Sequence, residues 1–387
     1  MPAMNETQAQ WIHVAYPEKV AFAETYGFAG TQGAVNLEGV LLAPAGRPSR
    51  TLVVMMHPAS TLQLLPVPKK LAAMGVHVLC AASRYARNDT ALIMENVIKD
   101  LGAHIRHAKQ VLGYEKIVLL GWSGGGSLSL FYQSQAEQPD ITATPAGDPV
   151  ELSLDPADAV ICQAVHLSRP RMLLDMIDPS VLDEHDPRKR NRELDLYDPA
   201  NSSKPPYSAE FIAEYRRAQL ARVRRITDWV KAQLEELRHT TGERERCFIT
   251  HRTLADPRYL DPALDPNGRR PGWCYLGNPE TVNTGPVGLA RFSTLRSWLS
   301  QWSIDDSRAD GLRCAARISV PFLAIENCAD DCVPQPHMGL LQGAVASADK
   351  SFVQIEGATH FYSGQPELLE RAATEVVTWL RARGFGD

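Results

Sequence analysis

The stretch IVLLGWSGGGSLSL, residues 117–130, constrains the fold more than any other part of the chain. Its leading apolar residues, β-branched at the start and closed by Gly121, predict a short buried strand. Leu128, Leu130 and Phe131 predict the buried side of a helix that follows at once. Ser123 is thereby placed on a strand-to-helix turn. So sharp a turn forces one residue into a strained backbone conformation and brings the next element close, which requires neighbours without a Cβ. Gly121, Gly124, Gly125 and Gly126 meet that requirement.

The surroundings alternate in the manner of an α/β sheet. VNLEGVLLAP, TLVVMMHP and VHVLCAAS read as extended, and PVPKKLAAMG, opened by proline and closed by glycine, reads as a short helix. Over residues 92–112, Val97, Leu101, Ile105, Ala108 and Leu112 share a face at helical spacing before Gly113, which predicts a crossover helix leading to the strand before Ser123. His104 and His107 lie three apart in it without a third ligand nearby, and are expected on a solvated flank. A polar stretch over residues 133–156 leads to DAVICQAVHLS, another buried strand. From 169 to 313 the alternation stops, charge and proline rise, and Phe211, Ile212, Tyr215, Leu220, Val223, Ile226, Val230, Leu234 and Leu237 mark a long amphipathic helix. The alternation returns with the strands of RISVPFLAIENCADDCVP and SFVQIEGATHFYSG, then a closing helix over residues 366–383 that stops at Gly384.

A chain of 387 residues suits two domains or one domain with a large insertion. Its 44% hydrophobic and 22% charged residues describe an ordinary globular protein, and a net charge of −5 offers no basic field for nucleic acid or anionic lipid. The opening MPAMNETQAQWIHVAYPEK lacks a basic region followed by an apolar one, and no apolar run is long enough for a membrane span, so a soluble cytoplasmic protein is expected. Seven cysteines without CxxC spacing fit free thiols. The i,i+4 pair Cys328 and Cys332 is assigned to packing.

Gly121-Trp122-Ser123-Gly124-Gly125 fits G-x-S-x-G within the strand–turn–helix context that this nucleophile motif requires. A phosphate loop would need a lysine that is absent, and the dinucleotide pattern G-x-G-x-x-G is absent too. On these residues the chain resembles the α/β-hydrolase superfamily over residues 36–168 and 315–385. The resemblance implies an α/β fold with a mostly parallel central sheet flanked by helices. It also implies a core from 1–168 and 314–387, and a large, mainly helical cap over 169–313. It further implies a triad in the chain order serine, acid, histidine. Ser123 would be the nucleophile, and His360, after the last strand and before the last helix, its base. For the acid, ADDCVP offers Asp330 and Asp331. The superfamily spacing, four residues before the proline of a V-P pair, favours Asp330, with Glu326 more distant and Asp175 as the fallback. One oxyanion donor would be the Gly124 N–H. The other would come from the turn after TLVVMMH, where relatives usually carry His-Gly and this chain carries His57-Pro58-Ala59-Ser60. Pro58 has no N–H, which leaves Ala59, with Ser60 as an alternative. His57 is expected to brace the turn by hydrogen bonding.

The expected activity is hydrolysis of a carboxylic ester of a bulky apolar or aromatic small molecule through an acyl-enzyme, with no cofactor and no metal. A diketone C–C bond, lactone, thioester or amide would use the same groups, as would a haloperoxidase-like reaction. A non-catalytic binding protein of the same fold is the rival from another class, but serine, acid and histidine positions are all occupied. Trp229, Trp273, Trp298 and Trp302 of the insertion suit an aromatic substrate, or more simply the insertion's own core. Residues 216–225, rich in arginine, are expected on a solvated helix face. The expected partner is the small-molecule substrate, with no nucleic acid and no membrane, and with a homodimer left open.

Overall fold

The computed structural model describes residues 6–18 and 33–386. Eight strands form one sheet. They are β1 (Thr7–Pro17), β2 (Ala34–Pro44), β3 (Thr51–His57), β4 (Val78–Ala82), β5 (Lys116–Trp122), β6 (Ala159–Gln163), β9 (Phe322–Asn327) and β10 (Lys350–Ile355), in the order β1-β2-β4-β3-β5-β6-β9-β10. The pairings β1/β2 and β2/β4 are antiparallel, and all the others are parallel. Strand β1, over residues not assigned to any element from the sequence, pairs with β2 along its whole length, Thr7 opposite Pro44 and Pro17 opposite Ala34. The end of the MPAMNETQAQWIHVAYPEK stretch, the start of the chain before Glu6 and residues 19–32 lie outside the described residues.

The central strands are buried almost throughout and mainly apolar, because both faces are covered, as parallel sheets require. In β3, Leu52, Val54 and Met56 face one layer while Val53 and Met55 face the other. The first layer holds α2 (Met94–Gln110), α3 (Gly124–Glu137), α8 (Gly311–Ala315) and α9 (Pro336–Ala344). The second holds α1 (Pro66–Ala73) and α10 (Pro366–Ala382). Helix α2 starts two residues later and ends two earlier than its apolar stripe predicts. Its His104 departs from the expected solvated flank. It is fully buried, with Nε2 bonded to the Ala82 carbonyl at 3.1 Å, because α2 packs that side against β4. Burial brings its pKa down to about 4, while His107 is half-buried.

Between β6 and β9 the chain leaves the sheet. It forms α4 (Arg169–Met176), the long α5 (Ala209–Thr240), a two-stranded antiparallel sheet of β7 (Cys247–Ile249) and β8 (Phe292–Thr294) with α6 (Pro279–Thr284) between them in sequence, and α7 (Leu295–Gln301). Ser208 caps α5 by accepting the Phe211 N–H, and Val223, Ile226, Val230 and Leu237 bury one stripe against Leu173, Leu295, Trp298 and Leu299. The arginines of α5 are not one solvated face. Arg222 is fully buried, with Nη2 bonded to Glu184 at 2.6 Å and to the His251 carbonyl at 2.8 Å, and Arg216 pairs with Asp256 at 2.9 Å. A guanidinium carries five donors in a rigid fork, so a carboxylate and several carbonyls can satisfy it inside the protein. Arg217, Arg224 and Arg225 are exposed.

Candidate active site

The turn after β5 has the geometry its sequence demands. Ser123 takes φ 54° and ψ −126°, a strained region for a residue with a side chain, and α3 begins at the next residue. The strand and helix then approach too closely for a side chain. A Cβ on Gly121 would stand 2.4 Å from the Gly126 Cα, and one on Gly126 would stand 2.1 Å from Val165 Cγ1. Ser123 is thereby held at the carboxyl edge of the sheet, where the parallel strands of an open α/β sheet present their ligand sites.

The loop after β10 brings in His360, which is buried. Tyr362, at φ 55°, accepts from Gln163 Nε2 and donates to Asn327 Oδ1, both at 2.7 Å, and Asn327 Nδ2 donates to the Thr359 carbonyl at 2.9 Å. These bonds tie the histidine loop to the ends of β6 and β9. The His360 ring stacks obliquely on Trp122, with centroids 4.5 Å apart, and meets Phe361 edge-on at 4.9 Å.

The two adjacent aspartates do different things. Asp330 Oδ2 lies 2.8 Å from His360 Nδ1, and its Oδ1 accepts the N–H groups of Cys332 and Val333, both at 2.7 Å. Asp331 instead accepts the His360 backbone N–H at 3.4 Å, and burial beside Asp330 pushes its carboxyl pKa up. Glu326 is bonded to Gln335 and Gln354, and Asp175 to Arg258 and His337. Neither touches His360.

Ser123 and His360 open into one cavity of about 570 Å³ without a direct hydrogen bond between them. That bond often tightens only when substrate is present. The core supplies His57, Leu62, Leu65, Trp122, His166 and Phe361 to the cavity wall; the insertion supplies Arg169, Met172, Tyr275, Leu289 and Trp302. Of the insertion's four tryptophans only Trp302 lines it. Trp298 is in the insertion's core, Trp229 packs on Phe248 and Trp273 lies under Arg270. A larger, charged cleft of about 950 Å³, lined by Arg84, Lys99, Arg244 and Arg296 among others, contains neither Ser123 nor His360.

Gly124 is the first residue of α3, and Ala59 lies in the turn after β3. His57 Nδ1 accepts the N–H groups of Ala59 at 3.2 Å and Ser60 at 2.9 Å, which is the bracing expected of it. Nothing in the sequence pointed to Arg169. Its guanidinium pairs with Asp89 and lies over the Trp302 ring, 4.3 Å from the centroid. The only local signal is Ser168-Arg169-Pro170, which marks a helix start. Nor did it single out Tyr362, Gln163 and Asn327, whose alliance crosses three separate strand ends. Among the described residues no group of histidine, cysteine, aspartate and glutamate side chains could hold a metal ion, and all seven cysteines are free thiols. Among the same residues no helix is long and apolar enough to cross a membrane.

The chain resembles several solved structures. DcsB, solved with its substrate analogue, matches over 95% of this chain and 97% of its own, with a TM-score of 0.51 and 13% identity. The siderophore hydrolase EstB from Aspergillus fumigatus matches over 89% and 94%, with a TM-score of 0.50 and 13% identity. The fold is that of the α/β-hydrolases. No family model and no curated protein sequence matches the chain. At such identities the structural likeness concerns the fold alone, and an α/β-hydrolase fold serves many chemistries.

Proposed function

We propose that this α/β-hydrolase-fold chain is a serine hydrolase that cleaves a carboxylic ester of a bulky apolar or aromatic small molecule. The observation that carries the reading is the 2.8 Å contact of Asp330 with Nδ1 of His360, which shares a cavity wall with a serine on a strained strand-to-helix turn. Asp330 fixes the imidazole with its proton on Nδ1, so that Nε2 is the basic nitrogen. Ser123 Oγ attacks the acyl carbonyl while its proton passes to His360 Nε2. The tetrahedral intermediate collapses as His360 returns that proton to the leaving alcohol, and water repeats the sequence on the acyl-enzyme. Residues 169–313 act as the cap, and Leu62, Leu65, Met172, Leu289 and Trp302 accept the apolar part of the substrate.

The test is hydrolysis of p-nitrophenyl esters from acetate to decanoate by the wild type, Ser123→Ala and His360→Ala, with folded concentration matched by circular dichroism. Activity lost in both variants supports the reading, and the chain-length optimum sizes the pocket. A wild type inert to every ester and to a fluorophosphonate probe overturns it.

A further inference from the structure

We infer that the second donor to the oxyanion is the side chain of His57, through Nε2–H, rather than a backbone N–H of the turn that follows it. The inference rests on the serine-hydrolase reading above. The turn after β3 is short of free donors. Of the three residues after His57, Pro58 has no N–H, and those of Ala59 and Ser60 both point at His57 Nδ1. The turn that supplies a backbone donor in the G-x-S-x-G pattern is thus closed on its own histidine.

The same two bonds decide where the imidazole carries its proton. An N–H can only meet a lone pair, so Nδ1 is unprotonated. Loss of solvation, aided by the nearby Arg169 and His360, holds the ring's pKa near 3, so the ring is neutral at working pH. Its single proton is therefore on Nε2. That nitrogen has no hydrogen-bond partner among the described residues, and His57 lines the cavity that holds Ser123 and His360. It also stands beside the first donor. A Cβ on Gly124 would lie 2.7 Å from His57 Nε2, so a glycine after the nucleophile is what admits the ring. A neutral, oriented N–H in a partly closed site needs little reorganisation as charge develops on the carbonyl oxygen. When Ser123 Oγ bonds to the carbonyl carbon, the π pair moves to oxygen, and the Gly124 N–H and His57 Nε2–H donate to it. Neither proton is transferred, and His360 alone receives the serine proton.

Two substitutions separate the roles of the ring. His57→Asn keeps an acceptor for the N–H groups of the turn but lacks the reach to the oxyanion. His57→Gln can place an amide N–H near the position of Nε2. Using the best ester from the series above, kcat for His57→Asn is expected to fall by about 10²–10³, the usual effect of one lost oxyanion donor, with KM nearly constant. His57→Gln is expected to recover about tenfold or more of that loss. A trifluoromethyl ketone, whose adduct carries the oxyanion, should lose affinity in step with kcat, while the product acid binds unchanged. A His57→Asn enzyme within about threefold of wild type overturns the inference and returns the hole to the backbone. So do equal losses in both variants accompanied by weaker binding of the product acid, which mark turn-bracing alone. An inert wild type that also fails to react with fluorophosphonate removes the hydrolase reading and this inference with it. An active wild type with an unaffected His57→Asn removes the inference only.

Discussion

Asp330 and Asp331 share a composition, a turn and nearly a position, yet only Asp330 reaches the His360 ring. The difference is made by the Cys332 and Val333 N–H groups, which hold one Asp330 oxygen while the other is left for the imidazole. Asp330→Asn is expected to reduce kcat by about 10³–10⁴, because an amide can favour the wrong tautomer of the histidine. Asp331→Asn should stay within about tenfold, since its contact is with the His360 backbone. Steady-state kinetics on one ester decides it. The reverse ranking would make Asp331 the acid. Choosing between neighbouring carboxylates depends on the direction of each Cα–Cβ bond in a closed turn. In the sequence, only the spacing to Val333-Pro334 carries that information.

At the scale of the element, α5 shows how a helix that looks polar can be fixed in place by its polar residues. Arg222, one turn before Ile226 on the buried side, joins the helix to Glu184 and to the carbonyls of Asp178, His251 and Arg252. Arg222→Ala would leave Glu184 and these acceptors without their buried cation. It is expected to cost about 3–5 kcal/mol, whereas Arg217→Ala on the exposed side should change stability by less than about 0.5 kcal/mol. Urea denaturation of the two variants makes the comparison, and equal small losses would show that Arg222 contributes nothing by being buried. The apolar stripe predicted α5 to within three residues at either end. It could not reveal that Arg222 points inward, because that depends on acceptors from segments 29 to 44 residues away in sequence.

For the whole molecule, three histidines whose folded-state pKa is lowered by loss of solvation contribute to the loss of stability in acid. His57 has its pKa near 3, His104 near 4, and His166 well below the ordinary value. Each is depressed in the folded state, so the folded protein refuses protons that the unfolded chain accepts below pH about 6.5. The contribution to stability is complete above that pH and is lost as pH falls toward each folded pKa. For fully buried His104 the slope is about 1.4 kcal/mol per pH unit between about 6.5 and 4. Urea midpoints at pH 7, 6 and 5 should fall steadily, and His104→Gln should flatten that fall by about one proton's worth. An unchanged slope in the variant would mean that His104 accepts its proton without unfolding.

The alternation of buried strands and helices, and the glycine-flanked serine between two of them, are legible along the chain. Local chain chemistry suffices for both. A buried strand must be apolar, a sharp turn with close approach must be glycine-rich, and a helix buries residues at its own period. The tertiary structure decided which residues meet. The bonds of Tyr362 across β6 and β9, the inward turn of Arg169 and the burial of His104 and Arg222 all join groups far apart along the chain. Even His57, whose bracing of its own turn is local, gains its place beside Gly124 only because β3 and β5 lie side by side in the sheet. Such contacts are selected by packing and hydrogen-bond satisfaction in the closed fold, which no pattern along a single chain records.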